Sequence, residues 1–155
     1  MRQLLYVMQF KGSVSPWGES VKVQRCTSTA KSCSFRTAVT PNGLKASLEP
    51  SAGGDARFES EVTITGQGTF LESGAVSFGK GHRLLFETVG RGHVGPSADP
   101  KVHQGAVVWR VTGGEGIFHN ASGLITSNFT LDEHGGVMDN QLGVVYIELG
   151  RAADA

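Results

Sequence analysis

The sequence predicts an all-β protein, a closed antiparallel barrel of about eight strands. Short extended segments recur along the chain, and turn residues separate them at intervals of roughly 8–12 residues, a spacing typical of barrels and sandwiches. No segment combines the 3.6-residue apolar period of a helix with helix caps. Glycine accounts for 22 of 155 residues, about twice its usual share of ~7%, which suits the turns, bulges and kinks of a β protein.

The extended segments are expected in chain order, with hairpin signals such as Asn42-Gly43 between them. Their approximate bounds are 3–10, 20–26, 33–39, 43–48, 56–65, 68–78, 82–91, 103–112, 122–131 and 142–149. A chain of 155 residues suits one domain. We therefore expect one barrel domain over residues 1–150 and a C-terminal tail over residues 151–155.

Charge and hydropathy exclude several classes of partner. Fourteen basic and fourteen acidic residues cancel, so the chain carries no electrostatic footprint for nucleic acid or an anionic membrane. No run of about 18 apolar residues indicates a membrane span. The apolar start of the chain ends at Gln9 without a cleavage site and is interpreted as a first strand, not a signal peptide. Cys26 and Cys33 are expected to be reduced, with a hairpin disulfide as the alternative. The expected location is the cytoplasm.

Several later strands are apolar on both faces, as in Leu84-Leu85-Phe86 and Val144-Val145-Tyr146-Ile147. Such strands are covered on both sides. In a closed barrel one face fills the lumen, and loops or another subunit must cover the other face. The pattern therefore favours a homo-oligomer.

The segment Val111-Thr112-Gly113-Gly114-Glu115-Gly116-Ile117-Phe118, followed by Ala121 and Gly123, predicts a strand, a tight glycine corner and a returning strand. It resembles the late-strand motif of the allene oxide cyclase-like and dirigent-type β-barrel superfamily. The close match covers about 15 residues, and a looser match covers residues 60–150. No helix is expected behind the glycines, so this segment is a poor phosphate-binding loop.

This resemblance implies an eight-stranded antiparallel barrel with a partly hydrophobic lumen, frequently assembled as dimers or trimers. Members of the superfamily cyclise a reactive fatty-acid epoxide or guide radical coupling, and related small barrels catalyse polyketide cyclisations. None of these proteins uses a metal or organic cofactor. The implied ligand is a small hydrophobic molecule, similar to a lipid or a polyketide. The superfamily's pocket residues lie in segments without a match here, so none is transferred.

Two charged residues are the catalytic candidates. Glu87 lies in the apolar run 84–89, where burial would raise the pKa of its carboxyl and suit it to general acid or base chemistry. Arg110 lies in the apolar run 107–111 and, pointing inward, would clamp a carboxylate or enolate oxygen or pair with Glu87. If they point outward, Glu87 faces solvent or an interface arginine and Arg110 is an ordinary sheet cation.

Five residues are candidates for ligand binding. Trp109 and Phe86 would supply apolar wall, although core packing is the alternative for Trp109. Asn128 would orient a carbonyl or form a cross-strand hydrogen bond. Tyr146 would donate a proton from the lumen or pack with its hydroxyl at the rim. Trp17 would cap a pocket or plug the end of the barrel.

The sequence contains no pattern for a metal or a cofactor. Its five histidines occur mostly at strand ends or turns, without the spacing of a metal site. No nucleophile elbow, P-loop or dinucleotide fingerprint is present. Three functions therefore stay open: a cofactor-free cyclase or isomerase, a carrier of a hydrophobic ligand, and a structural oligomeric barrel with a filled lumen. A small barrel is wide enough either to be filled or to hold one ligand.

Overall fold

The computed structural model describes residues 1–18 and 20–150. Nine strands and one 3-10 helix make up this part of the chain, which contains no α-helix. The strands are β1 (Arg2–Ser15), β2 (Val23–Thr40), β3 (Gly43–Gly66), β4 (Thr69–Phe78), β5 (Arg83–Thr88), β6 (Gly92–Pro96), β7 (Val102–Glu115), β8 (Ser122–Asp132) and β9 (Gly136–Ile147), and the 3-10 helix is Gly116–Phe118. The tail predicted at 151–155 lies outside the described residues.

Eight strands form a closed antiparallel ring. Their order is β3-β2-β1-β9-β8-β7-β5-β4, and pairing between β3 and β4 closes the ring. The short strand β6 joins β4 to β7 at one end, with Phe70 opposite Gly92 and His93 opposite Ala106. The predicted all-β class and closed antiparallel arrangement are confirmed.

Several predicted boundaries differ from the structure: β1 and β9 are longer than predicted, and β6 lies between two predicted segments. The segments 20–26 and 33–39 form one strand, β2, and the segments 43–48 and 56–65 form one strand, β3. The pairing register of β2 with β3 shifts between Lys31 and Cys33. Beyond this bulge the two strands continue as a hairpin that is exposed on both faces, because no third strand covers it. We call this hairpin, residues 33–50, the arm.

Along most of the strands, side chains alternate between the lumen and the outer surface. On β7, Val107, Trp109 and Val111 are buried, whereas Val108 and Arg110 are exposed. Aromatic rings fill the middle of the lumen: the Trp109 ring lies 4.5 Å from that of Phe86 and 5.4 Å from that of Phe58, centroid to centroid. These contacts form the core that holds the strands together.

The glycine corner is a structural bend, as the sequence predicts. Gly116 has a positive φ of 64°, which glycine adopts readily because it has no β-carbon. A β-carbon on Gly114 would lie 2.1 Å from the carbonyl oxygen of Arg83. The bend passes through the 3-10 helix and brings Phe118 back into the core, where its ring lies 5.5 Å from that of Phe78.

The outer face of one part of the ring is apolar. The register places Leu5 and Leu124 on either side of Val144, in one row across β1, β9 and β8. A second row contains Val7, Leu142 and Thr126. Leu5, Leu124 and Leu142 are exposed. Among the described residues, no helix has the length and hydropathy needed to cross a bilayer.

Candidate functional site

A cavity of about 70 Å³ occupies the end of the lumen next to β6. We call it the chamber. Most of its wall is apolar, and its polar side chains are those of Gln24, Glu72, Ser127 and Asp139, together with Trp109 Nε1. Its lining residues are Val14, Gln24, Cys26, Phe58, Val62, Ile64, Phe70, Glu72, Val94, Trp109, Ser127, Phe129, Leu131, Val137 and Asp139. The set contains two carboxyl groups but no lysine, arginine or histidine, so neither carboxyl has a cationic partner in the chamber wall.

Glu72 points into the chamber from β4 and is only 8% exposed. Ser60 Oγ donates a hydrogen bond of 2.5 Å to its Oε2. Thr88 Oγ1 accepts from the Glu72 backbone N–H and donates to its carbonyl oxygen, both at 2.7 Å, which fixes the strand at this point. Burial raises the pKa of Glu72 to about 8, against the lowering effect of the Ser60 hydrogen bond, and the nearby Asp139 raises it further. Glu72 is therefore mostly protonated at neutral pH.

Asp139 enters the chamber from β9 and is 6% exposed. Ser127 Oγ donates to its Oδ1 at 2.5 Å, and Gln141 Nε2 donates to its Oδ2 at 2.8 Å. The Tyr6 hydroxyl in turn donates a hydrogen bond of 3.0 Å to Gln141 Oε1. Burial raises the pKa of Asp139 to about 6, while the hydrogen bonds from Ser127 and Gln141 oppose that rise. Asp139 is therefore mostly ionised at neutral pH.

The two carboxyls thus carry different charges in one cavity. A pair of titratable groups whose surroundings push their pKa values apart is the arrangement that separates a general base from a general acid. Asp139 is suited to accept a proton, and Glu72 is suited to donate one. Cys26 lies in the same wall, but burial raises the pKa of its thiol to about 12, so it stays protonated and is a poor nucleophile.

Trp109 separates the chamber from the filled part of the lumen. The residue is 1% exposed, and its Nε1 is the buried side-chain polar atom without a hydrogen-bond partner among the described residues. The indole N–H lies near Glu72 and slightly favours its ionised form, but it does not reach hydrogen-bond geometry with that carboxyl. Of the ligand-binding candidates from the sequence, Trp109 lines the chamber. Phe86 stacks behind Trp109 as core and is not part of the chamber wall.

The other residues predicted for the site lie outside the lumen. Glu87 and Arg110 face each other across β5 and β7 on the outer surface. Arg110 Nη2 lies 2.5 Å from Glu87 Oε1, and the Glu87 and Arg110 side chains are 50% and 59% exposed, respectively. Asn128 and Tyr146 are also exposed on the outer face. Trp17 lies at the rim near the chamber, 41% exposed, and donates its Nε1 hydrogen to the Glu133 carbonyl oxygen at 3.1 Å.

Glu72 and Asp139 are absent from the residues that the sequence singled out. A signal was present in the strand alternation: Glu72 follows Phe70 by two positions and therefore shares the face of a large aromatic residue. Glu87 directly follows Phe86, so it faces the opposite side of its strand. Among the described residues, no group of three or more histidine, cysteine, aspartate or glutamate side chains is placed to hold a metal ion.

Comparison with known structures identifies the architecture. No protein-family model and no curated protein matches the sequence. The structure of the pterocarpan synthase dirigent protein PsPTS1 superposes with a TM-score of 0.56, covers 96% of this chain and 97% of its own, and shares 14% of residues. The fold is that of the dirigent proteins. The pterocarpan synthase dirigent protein GePTS1 agrees, with a TM-score of 0.51, 14% identity and coverage of 95% of this chain and 89% of its own.

The dirigent fold agrees with the barrel architecture that the glycine corner predicted. At this level of identity the likeness establishes the architecture alone. The features particular to this barrel are in its own lumen: the chamber, its two carboxyls and Trp109.

Proposed function

We propose that the protein binds a small hydrophobic molecule in the chamber and isomerises or cyclises it by proton transfer between Asp139 and Glu72. The observation that carries the proposal is the pair of buried carboxyls that line one cavity without a cation, each held by a serine hydroxyl, with burial raising the pKa of both and more strongly that of Glu72. The dirigent fold supports the binding of a ligand or substrate in a barrel of this type. The proposed chemistry replaces Glu87 and Arg110 with these two residues, because the former pair is exposed on the outer face.

The reaction would be an allylic proton shift. The Asp139 carboxylate removes a proton from a carbon next to a carbonyl group, while the protonated Glu72 gives its proton to the carbonyl oxygen. The resulting enol takes the proton back from Asp139 at a different carbon, and its hydroxyl proton returns to Glu72. Positioned acid and base groups of this kind typically accelerate such steps by about 10²–10⁴-fold. The aromatic wall holds the reacting molecule in one conformation.

The isomerisation of cyclopent-3-enone to cyclopent-2-enone tests this proposal. The conjugated product absorbs more strongly in the ultraviolet, so the rate can be followed directly. We expect Asp139→Asn to abolish the protein-catalysed rate and Glu72→Gln to lower it by about 10²-fold. Asp55→Asn removes an exposed carboxyl on β3 and serves as the control that keeps full activity. A rate that is the same in wild type and Asp139→Asn would contradict the proposal.

A structural barrel with a filled lumen is the second candidate, and the size of the chamber favours it. Pockets for drug-sized ligands usually measure about 300–1,000 Å³, whereas the chamber measures about 70 Å³. Under the first proposal the chamber therefore encloses only the reacting head of the ligand, and the rest lies towards the rim. Binding without turnover would indicate a carrier, and the absence of binding would indicate the filled barrel.

We also propose that the chain forms a dimer or trimer through the apolar rows on β1, β9 and β8. Exposed contiguous apolar patches commonly mark interaction surfaces. Leu142→Arg should convert the oligomer to a monomer in sedimentation velocity, whereas Val39→Arg, at the tip of the arm, should not. A wild-type monomer would contradict the proposed oligomer.

Cys26 and Cys33 are both free thiols, which supports the cytoplasm as the proposed location.

A further inference from the structure

We propose that the chamber selects an uncharged ligand by its carbonyl oxygen, which accepts a hydrogen bond from Trp109 Nε1, and that Trp109 is the positioning residue for that group. This inference rests on the proposed function, because it assigns the class of substrate that reaches Asp139 and Glu72. It excludes carboxylate ligands, including fatty acids that enter head first.

The hydrogen-bonding state of Trp109 is the first argument. A buried donor without a partner is costly, and most buried polar side-chain atoms have one. Ser60 and Ser127 already direct their hydroxyl groups to the carboxyls, and Gln141 is engaged on both sides, by Tyr6 and Asp139. Trp109 Nε1 is left without a partner. An indole N–H can only donate, so the missing partner must offer an acceptor atom.

The charge of the wall is the second argument. Asp139 is ionised at neutral pH, and none of the lining residues is a cation. A bound carboxylate would add a second uncompensated negative charge to a buried cavity, which is strongly unfavourable. An ammonium ligand would satisfy Asp139 but would offer Trp109 no acceptor. A carbonyl group satisfies Trp109 without adding charge.

The volume of the chamber is the third argument. At about 70 Å³, it corresponds to roughly five to seven times the minimum space that one water molecule needs. A five-membered ring ketone or the ketone end of a longer molecule matches this size. The aromatic rings of Phe58, Phe70 and Phe129 provide the apolar part of such a contact.

Four small molecules of similar size and different chemistry test the inference: cyclopentanone, methylenecyclopentane, cyclobutanecarboxylate and cyclopentylamine. Ligand-observed NMR would give their affinities. We expect cyclopentanone to bind about 10-fold more tightly than methylenecyclopentane, which has the same shape without the acceptor, as one net hydrogen bond predicts. Cyclobutanecarboxylate should show no binding. Equal affinity of ketone and hydrocarbon, or preferred binding of the carboxylate or the amine, would overturn the inference.

A direct measurement on the wild-type protein removes the dependence on a variant that fails to fold. Trp109 and Trp17 give two indole N–H resonances, and a paramagnetic agent in solution broadens only Trp17, because Trp109 is buried. Cyclopentanone should move the Trp109 resonance downfield, and methylenecyclopentane should not. Trp109→Phe should then lose the 10-fold preference while retaining hydrocarbon binding.

The two proposals fail in different ways. If cyclopentanone binds with the Trp109 shift but cyclopent-3-enone is not isomerised, the proposed function is wrong and the inference holds. If cyclopent-3-enone is isomerised without any Trp109 shift or preference for the ketone, the inference is wrong and the function holds. If none of the four molecules binds, the lumen is filled and both are wrong.

Discussion

The ring of Phe70 lies directly against the backbone of Gly92, its partner across β4 and β6. A β-carbon on residue 92 would lie 2.2 Å from Phe70 Cζ and 2.3 Å from Cε2, far closer than carbon atoms in contact, which are about 3.5–4.0 Å apart. The absence of a side chain at Gly92 therefore sets the position of a ring in the chamber wall.

Gly92→Ala should displace the Phe70 ring and reduce the affinity for cyclopentanone. The expected loss is about 10-fold or more, with a stability cost of about 1–3 kcal/mol from overpacking. Gly95→Ala is the matched control, because it lies on the same strand and its β-carbon would meet nothing within 4 Å. If both variants bind like wild type, Gly92 does not shape the chamber.

The stability of the protein should depend on pH through Glu72. Its pKa rises from 4.5 to about 8 on folding, so between these values the folded state keeps a proton that the unfolded state has lost. The free energy of unfolding then decreases as pH rises through this window, by at most about 1.4 kcal/mol per pH unit. Urea unfolding of wild type and Glu72→Gln from pH 5 to 8 measures this.

Glu72→Gln should gain stability relative to wild type with increasing pH across that range. Glu59→Gln, on the neighbouring strand and exposed, should follow the wild-type profile. Parallel profiles for wild type and Glu72→Gln would show that the Glu72 carboxyl ionises in the folded protein as easily as in the unfolded chain.

Ser127→Ala should raise the pKa of Asp139 above its value of about 6. The variant removes the hydroxyl that donates to Asp139 Oδ1, and a hydrogen bond to a charged group contributes about 1.5–3 kcal/mol. The acidic limb of the pH–rate profile for cyclopent-3-enone should move upward by roughly one to two pH units. An acidic limb at the wild-type pH would show that the Ser127 hydroxyl does not affect the pKa of Asp139.

Removal of the outer ion pair should leave the chamber unaffected. Glu87→Gln and Arg110→Met act on exposed side chains, and pairs of this kind contribute about 0–1 kcal/mol to stability. We expect unchanged rates with cyclopent-3-enone and unchanged affinity for cyclopentanone, with melting temperatures within a few degrees of wild type. A large loss of rate would instead return Glu87 and Arg110 to the catalytic site.

The architecture could be predicted because it depends on properties that repeat along the chain. Alternation, turn residues and the glycine corner each specify local geometry, and the same alternating pattern recurs in many strands. The sequence divides β3 into two segments because Gly53 and Gly54 resemble a turn, whereas the structure uses this region for a bulge opposite β2.

The sequence alone could not predict which side chains face the lumen, because one residue of register reverses the direction of every side chain. Strand alternation predicts that Trp109 and Arg110 face opposite sides, but Val107 and Val108 are both apolar, so the sequence does not show which side is the lumen. The pairing of Asp139 with Ser127 and Gln141 depends on β8 and β9 lying side by side. The sequence alone does not specify the register that places these three side chains together.

The glycine corner also positions the aromatic rings at one end of the lumen. By turning β7 through the 3-10 helix, it places Phe118 beside Phe78 at the end of the lumen opposite the chamber, and Tyr6 packs against Phe78 at 5.2 Å. These rings pack at the end of the lumen away from Phe70 and Glu72. Under the proposed function, a ligand of Asp139 would therefore approach from the β6 end, where Val94 lines the chamber. Substrate and product would then compete for the same approach, which inhibition by cyclopent-2-enone would test.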